Sequence, residues 1–208
     1  MSMKRPLCLV IALAALSACG TTTQSSRNAT PPYLTTAIQN TAPEEIALPA
    51  ELAVQGIEIS VPQTLKVSEA DVFVPVADIV WRGDPLGDRH TQVAAIFESA
   101  AAEATTTLTQ GRPVIVALEV TRFHGLTEKA RYVTGGNYAM HFMMTLRDAQ
   151  TGMVIDGPRP IVADVKGSGG VRAIAEDNAG RTEKVVVTQR LSEVLQYELT
   201  HLVLPSAL

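Results

Sequence analysis

Cys8 and Cys19 are the only thiols in the 208-residue chain. Cys19 closes the tetrapeptide Leu16-Ser17-Ala18-Cys19, which follows two positive charges and an apolar run. The densest polar cluster is Trp81-Arg82-Gly83-Asp84-Pro85-Leu86-Gly87-Asp88-Arg89-His90. It gathers guanidinium, carboxylate, imidazole and indole groups in one loop, a set suited to holding an anion or a partner surface by charge-assisted bonds. His90, His124, His141 and His201 are too scattered for a spacing-based metal site. Gly167-Ser168-Gly169 lacks the nucleophile-elbow pattern that a serine hydrolase needs. No catalytic residue and no metal ligand is therefore assigned, and the chain is expected not to be an enzyme.

The residues around Cys19 say how that thiol would be used. Lys4 and Arg5 form a short basic start, and residues 7–18 are mostly apolar and end in small side chains, which is the pattern of an export signal. The run is too short for the about 20 apolar residues of a membrane span. Leu16-Ser17-Ala18-Cys19 resembles the lipobox of bacterial lipoproteins, in which the cysteine sulfur receives a diacylglyceryl group, cleavage occurs just before it and the new amino terminus is acylated. The resemblance implies a signal peptide over 1–18 and a covalent lipid on Cys19, with no other cofactor. Several acyl chains are needed for durable anchoring, since each buried methylene adds only about 0.8 kcal/mol. The other readings of this segment are an ordinary cleaved secretory signal and a buried amino-terminal helix. Gly20 in place of Asp after the cysteine resembles the pattern of export to the outer membrane, so the expected location is the cell envelope, on the outer membrane and facing the periplasm.

Seventeen Lys and Arg against 21 Asp and Glu make the chain acidic, and loss of Lys4 and Arg5 with a signal would make it more so. Nucleic acid is excluded as an expected partner, since it calls for a basic stripe. With Cys8 in the signal and Cys19 lipidated, no disulfide is available, and stability has to come from the apolar core.

Residues 19–43 are rich in Thr, Ser, Asn and Pro and read as a flexible lipid-anchored tether; a coil of that length has an r.m.s. span on the order of 25 Å. Residues 44–208 read as a single α+β periplasmic domain. Residues 44–53 could form a short helix interrupted at Pro49. Ile57, Ile59 and Val61, then Leu65 and Val67, suggest two short strands or one bent strand. The second half of 71–81 reads as a buried strand running into the Trp81–His90 loop. Val93, Ile96, Phe97, Ala100, Ala101, Ala104 and Leu108 recur at helical spacing and predict a helix over 89–110, with Asp88 as N-cap and Gly111 as stop. Residues 113–123 alternate Val114, Val116, Leu118 and Val120 on one face of a strand that looks central.

Strands at 138–146 and 152–155 flank the turn Asp148–Gly152 and predict a hairpin. Asp156-Gly157-Pro158 reads as a further turn before a strand at 161–165, and residues 167–170 as a flexible glycine loop. The last long helix spans 182–204, capped by Thr182, with Val187, Leu191, Val194, Leu195, Leu199 and Leu202 on one side. The expected fold is α+β: a two-layer sandwich, with a mainly antiparallel sheet and the two long helices packed on one face.

Two loops carry the candidate surfaces. In the first, Trp81, Arg82, Asp84, Asp88, Arg89 and His90 could bind an anion, a headgroup or a partner where the strand meets the helix amino terminus. The alternative is a capped turn in which Arg82 and Arg89 pair with Asp84 and Asp88. In the second, residues 123–136 with Arg131 and Tyr132 form a long mobile connection that could contact a lipid or protein surface, or be a solvated excursion.

Residues 61–70 (Val61-Pro62-Gln63-Thr64-Leu65-Lys66-Val67-Ser68-Glu69-Ala70), 77–85 (Ala77-Asp78-Ile79-Val80-Trp81-Arg82-Gly83-Asp84-Pro85) and Gly87-Asp88-Arg89 resemble an uncharacterised family of alphaproteobacterial lipoproteins, DUF6778. That resemblance covers most of the mature chain and brings no assigned activity or functional residue. The arrangement also looks like small envelope lipoproteins with a two-layer α/β domain, including auxiliary subunits of lipid-transport systems. Together these imply a non-catalytic binding or accessory subunit of an envelope complex, attached to the membrane by its lipid and docking to an envelope protein through the sheet edge or either loop. The alternatives are a periplasmic carrier of a small apolar or lipid ligand, with its pocket between sheet and helices, and a hydrolase.

Overall fold

The computed structural model describes residues 50–203. Cys19, the signal over 1–18 and the tether over 19–43 lie outside the described residues. The chain forms β1 (Leu52–Ser60), β2 (Ile79–Val80), α1 (Arg89–Thr105), β3 (Arg112–His124), α2 (Glu128–Val133), β4 (Gly136–Asp148), β5 (Val154–Val162), β6 (Val165–Gly167), α3 (Val171–Asn178) and α4 (Glu183–Thr200).

These elements make an α+β fold built on a six-stranded sheet in the order β1-β3-β4-β5, with β2 added beside β3 and β6 beside β4. The sheet is mixed. β4 pairs antiparallel with β3, β5 and β6, whereas β1 and β2 both run parallel to β3. Parallel neighbours cannot be joined by a tight turn, so the chain between β1 and β3 supplies a crossover that carries α1.

Period-2 alternation in β3 and β4 decides which face is covered. Val114, Val116, Leu118 and Val120 of β3 and Tyr138, Met140, Phe142, Met144 and Leu146 of β4 are buried. In register, Val116 stands opposite Leu146, Leu118 opposite Met144 and Val120 opposite Phe142. The same core takes Val93, Ile96, Phe97, Ala100, Ala101 and Ala104 of α1 and Val187, Leu191, Val194, Leu195 and Leu199 of α4, and α1 and α4 contact each other. Trp81, Phe123, Phe97 and Phe142 form a chain of edge-to-face contacts, with ring centroids 5.3, 6.2 and 5.3 Å apart. Each such pair adds about 0.5–1.5 kcal/mol beyond its burial. The single tryptophan and three of the four phenylalanines are thereby spent on one interior.

The amino-terminal helix expected over 44–53 is not formed where the structure describes it: Leu52 and Ala53 already belong to β1, because pairing with Arg112 and Pro113 gives them a ladder. Val67 makes only an isolated bridge to Ile79, and the strand expected in 71–81 shrinks to Ile79 and Val80, with Val72, Phe73, Val74 and Val76 exposed. Helix α1 starts at the expected N-cap, where Asp88 accepts from the amides of His90 and Thr91. It ends at Thr105 rather than 110, short of Gly111, which takes a φ of +105° where the chain reverses beside Glu51.

Asp156-Gly157-Pro158 lies inside β5 instead of forming a turn between strands. The ladder is irregular there, between Met144 and Leu146 of β4. The turn over Asp148–Gly152 forms as expected, with the Asp148 carboxylate accepting from the Gln150 and Thr151 amides at 3.1 and 3.0 Å. The connection over 123–136 is no open loop, since it winds into α2 under the Thr127 cap. Residues 167–170 lead from β6 into α3.

Candidate functional site

The Trp81–His90 loop is held by pairings that run outside it. Arg82 and Arg89 do not pair with Asp84 and Asp88; both converge on Glu69. Arg89, only 4% exposed, donates through Nε to Glu69 at 2.8 Å and through Nη1 to the Asp84 and Pro85 carbonyls and to Gln92. The bonds from Arg89, with the charge of Arg82, hold the Glu69 carboxyl below the usual range. Asp84 is partly buried, which opposes ionisation, yet Lys184 at 2.8 Å and the Trp81 indole N–H at 2.8 Å keep its carboxyl below the usual range. Asp88 is committed to capping α1, where the Thr91 hydroxyl and the Thr91 and His90 amides favour its ionised form. His90 reaches the Leu65 carbonyl at 3.2 Å. Trp81 is fully buried, so it is a core residue that ties the loop down through Asp84. Of the predicted site residues, Arg82 and Arg89 come together on Glu69, which sequence reasoning missed, whereas Trp81 and Asp84 bond each other, Asp88 caps α1 and His90 turns to Leu65.

A second cluster gathers residues that no sequence motif links. Arg131 (3% exposed) on α2, Tyr138 (0%) on β4 and Glu183 (5%) at the first turn of α4 are all buried, and Asp177 of α3 joins them. Arg131 donates to Asp177 through Nη2 at 2.6 Å and Nε at 3.3 Å, and to the Tyr138 hydroxyl through Nη1 at 2.6 Å. The Tyr138 hydroxyl in turn donates to Glu183 at 2.9 Å. Glu183 lies 3.8 Å from the guanidinium, whose fork is already taken by Asp177. Burial, with Asp177 as a neighbouring like charge, therefore outweighs what Tyr138 and Arg131 offer and pushes the Glu183 carboxyl up to about 7. Burial and the charge of Glu183 push the Tyr138 hydroxyl up as well.

Two glycine segments let α2, β6 and α3 close around this cluster. A Cβ on Gly169 would collide with the Gly135 amide and the Thr134 carbonyl, and Gly135 itself has a φ of +71°. Backbone meets backbone there, which only glycine permits.

Cavities open on either side of Arg131. One of about 380 Å³ is lined by Lys166, Ser168, Arg172, Glu176 and Arg181 as well as Arg131; one of about 260 Å³ is lined by Arg82, Glu128, Tyr132, Asp177, Thr182 and Glu183. A groove of about 430 Å³ crosses the other face of the sheet at Glu58, Ala117, Glu119, Met143 and Thr145. Among the described residues, no cluster of three His, Cys, Asp or Glu side chains could hold a metal ion, and no helix is long and apolar enough to cross a membrane.

Fold and site define an α+β domain in which short helices enclose a buried ionic cluster at one end of a mixed sheet. Residues 52–206 match the model of a family of unknown function, DUF6778, and the chain belongs to that family. No curated protein matches it. Three solved structures are similar to it. A DUF330 protein of Xanthomonas campestris is 11% identical, with a TM-score of 0.42 over 76% of this chain and 87% of that one. PelC of Paraburkholderia phytofirmans, a dodecamer, is 15% identical, with a TM-score of 0.37 over 75% and 93%. A candidate lipoprotein of Caulobacter crescentus is 17% identical, with a TM-score of 0.31 over 51% and 80%.

Proposed function

We propose that this chain is a lipid-anchored envelope protein, held to the outer membrane through Cys19 and facing the periplasm, that serves as a non-catalytic binding or accessory subunit. In this reading it is a two-layer domain, with α1 and α4 covering one face of the sheet and an exposed apolar surface left for a partner. The observation that carries the reading is an apolar surface built from two segments. Val72, Phe73, Val74 and Val76 are 45, 46, 77 and 100% exposed, and Tyr132 and Val133 of α2 are 47 and 60% exposed.

The first segment is fixed onto the second. The Thr127 hydroxyl donates to the Val72 carbonyl at 2.8 Å, the Lys129 amide donates to Asp71 at 2.9 Å, and the Lys129 ammonium sits 5.0 Å from the Phe73 ring centre. Contiguous exposed apolar side chains with a polar rim are characteristic of interaction sites. Of the two candidate loops, the 123–136 connection supplies the second segment of this surface. A small-ligand carrier is the second reading; it would use a surface cavity, since Trp81, Phe97, Phe123 and Phe142 occupy the interior.

The test is a photo-cross-linking residue placed at Val74 or, as a control, at Gln55 on edge strand β1, in the full chain in its native cells. The expected result is one envelope protein joined at Val74 and not at Gln55. Equal yields at both positions, or no adduct at Val74, would remove the docking role.

A further inference from the structure

The cavity of about 380 Å³ between β6, α3 and the start of α4 is basic in an otherwise acidic chain. Four cations face it: Lys166 from β6, Arg172 from α3, Arg181 from the α3–α4 connection and the buried Arg131 from α2. Its one carboxylate, Glu176, is already satisfied. It accepts from the Ser168 hydroxyl at 2.8 Å and from Arg172 Nε at 3.2 Å; those bonds, with the charges of Arg172 and Arg181, hold its carboxyl below the usual range. Lys166 and Arg181 have no carboxylate partner among the described residues, and Arg181 makes only a 3.5 Å contact to Gln189. Arg131 gives three N–H groups to Asp177 and Tyr138, which leaves donor capacity on a guanidinium that presents five.

We propose that this cavity binds a phosphoryl oxyanion, with Lys166 and Arg181 as its principal charged donors and Arg131 and Arg172 completing the positive wall. Guanidinium and ammonium groups converging on a concave site match the several acceptor oxygens and the charge of a phosphate ester. The cavity has room for more than a bare phosphate, and Gly167, Tyr138 and Val186 complete its lining beside the charged groups. Phosphoryl chemistry of this kind comes from free phosphate or from a phospholipid headgroup, and the site as built accepts either. The inference stands on the cavity alone and does not depend on the docking surface at Val74.

The experiment is titration calorimetry of the full chain in detergent micelles, at low ionic strength in a phosphate-free buffer, with inorganic phosphate and separately with glycerophosphoglycerol, the soluble headgroup of a phosphatidylglycerol. One saturable site is expected, weakened as sodium chloride is raised. The K166Q/R181Q pair is expected to lose at least about tenfold in affinity, whereas K166R/R181K, which keeps both charges, retains binding, and E119Q, in the groove on the other face of the sheet, behaves as wild type. Tighter binding of glycerophosphoglycerol marks a headgroup as the source; equal or tighter binding of inorganic phosphate marks the free ion. No saturable heat with either compound, or binding that K166Q/R181Q leaves unchanged, would overturn the assignment.

Discussion

Glu183 gives the sharpest test of the buried cluster. Replacing it with Gln keeps an oxygen for the Tyr138 hydroxyl at the position it now occupies 2.9 Å away, removes the charge and leaves the side chain close to isosteric. One buried guanidinium faces two carboxylates here, and Asp177 takes it at 2.6 Å. The folded state therefore prefers Glu183 protonated. A rise from 4.5 to about 7 makes the ionised folded protein about 3 kcal/mol less favourable than an unshifted carboxyl would. Because the folded value lies above the unfolded one, this contribution is fully present below pH 4.5 and is lost as pH rises through about 7. Urea unfolding from pH 5 to 8.5 reads it directly. Wild type should weaken relative to Glu183→Gln by up to about 3 kcal/mol across that range, with near equality at pH 5 and the variant the more stable at pH 8.5. A variant that is instead increasingly destabilised as pH rises would mean that Glu183 is the ionised partner of Arg131, and the assignment of the guanidinium to Asp177 would be wrong.

Arg131→Met should cost about 2–3 kcal/mol in the same assay, because it removes the buried donor to Tyr138 and the ion-pair partner of the part-exposed Asp177; a loss below about 1 kcal/mol would show that the pairing is incidental. Thr127→Ala removes both the α2 cap and the bond that fixes Val72, so about 1–2 kcal/mol should be lost and protease cleavage in 71–76 should quicken. Gly169→Ala forces a methyl against the Gly135 amide and should destabilise by about 1–3 kcal/mol, with the loss visible in the thermal midpoint. Cys19→Ala should abolish palmitate labelling and stop cleavage before residue 19, as read by gel mobility and intact mass.

The long elements were legible because their apolar spacing exceeds what chance composition supplies. Leu191, Val194, Leu195 and Leu199 of α4 and the Val114 to Val120 alternation of β3 are all buried as their periodicity requires. The parallel pairing of β1 was not legible. Ile57 and Ile59 show that one side of that strand is covered, but no residue in it specifies the direction of β3 beside it. Helices α2 and α3 span only 6 and 8 residues, too short for a clear period, and α3 starts at a glycine without a side-chain cap. Asp156-Gly157-Pro158 has turn composition but sits in β5, where the flanking Val154 and Ile161 pair with β4.

The site was partly legible for a similar reason. Cap residues act locally, so Asp88 and Thr182 could be read from a few neighbours. Ion pairs such as Arg89 with Glu69, or Arg131 with Asp177, join residues 20 and 46 positions apart. Only the fold decides which carboxylate a buried arginine meets. One local signal did exist, since Tyr138 falls on the covered phase of β4 and a buried tyrosine hydroxyl needs partners.

The central claim, an anchored subunit that docks a partner, is tested most directly by native mass spectrometry of the protein purified in mild detergent from its own cell envelopes. The account predicts an acylated chain beginning at Cys19 in fixed stoichiometry with an envelope protein, a species that dissociates when Val74 is changed to Asp. An unmodified chain, or an acylated chain recovered alone, would contradict it.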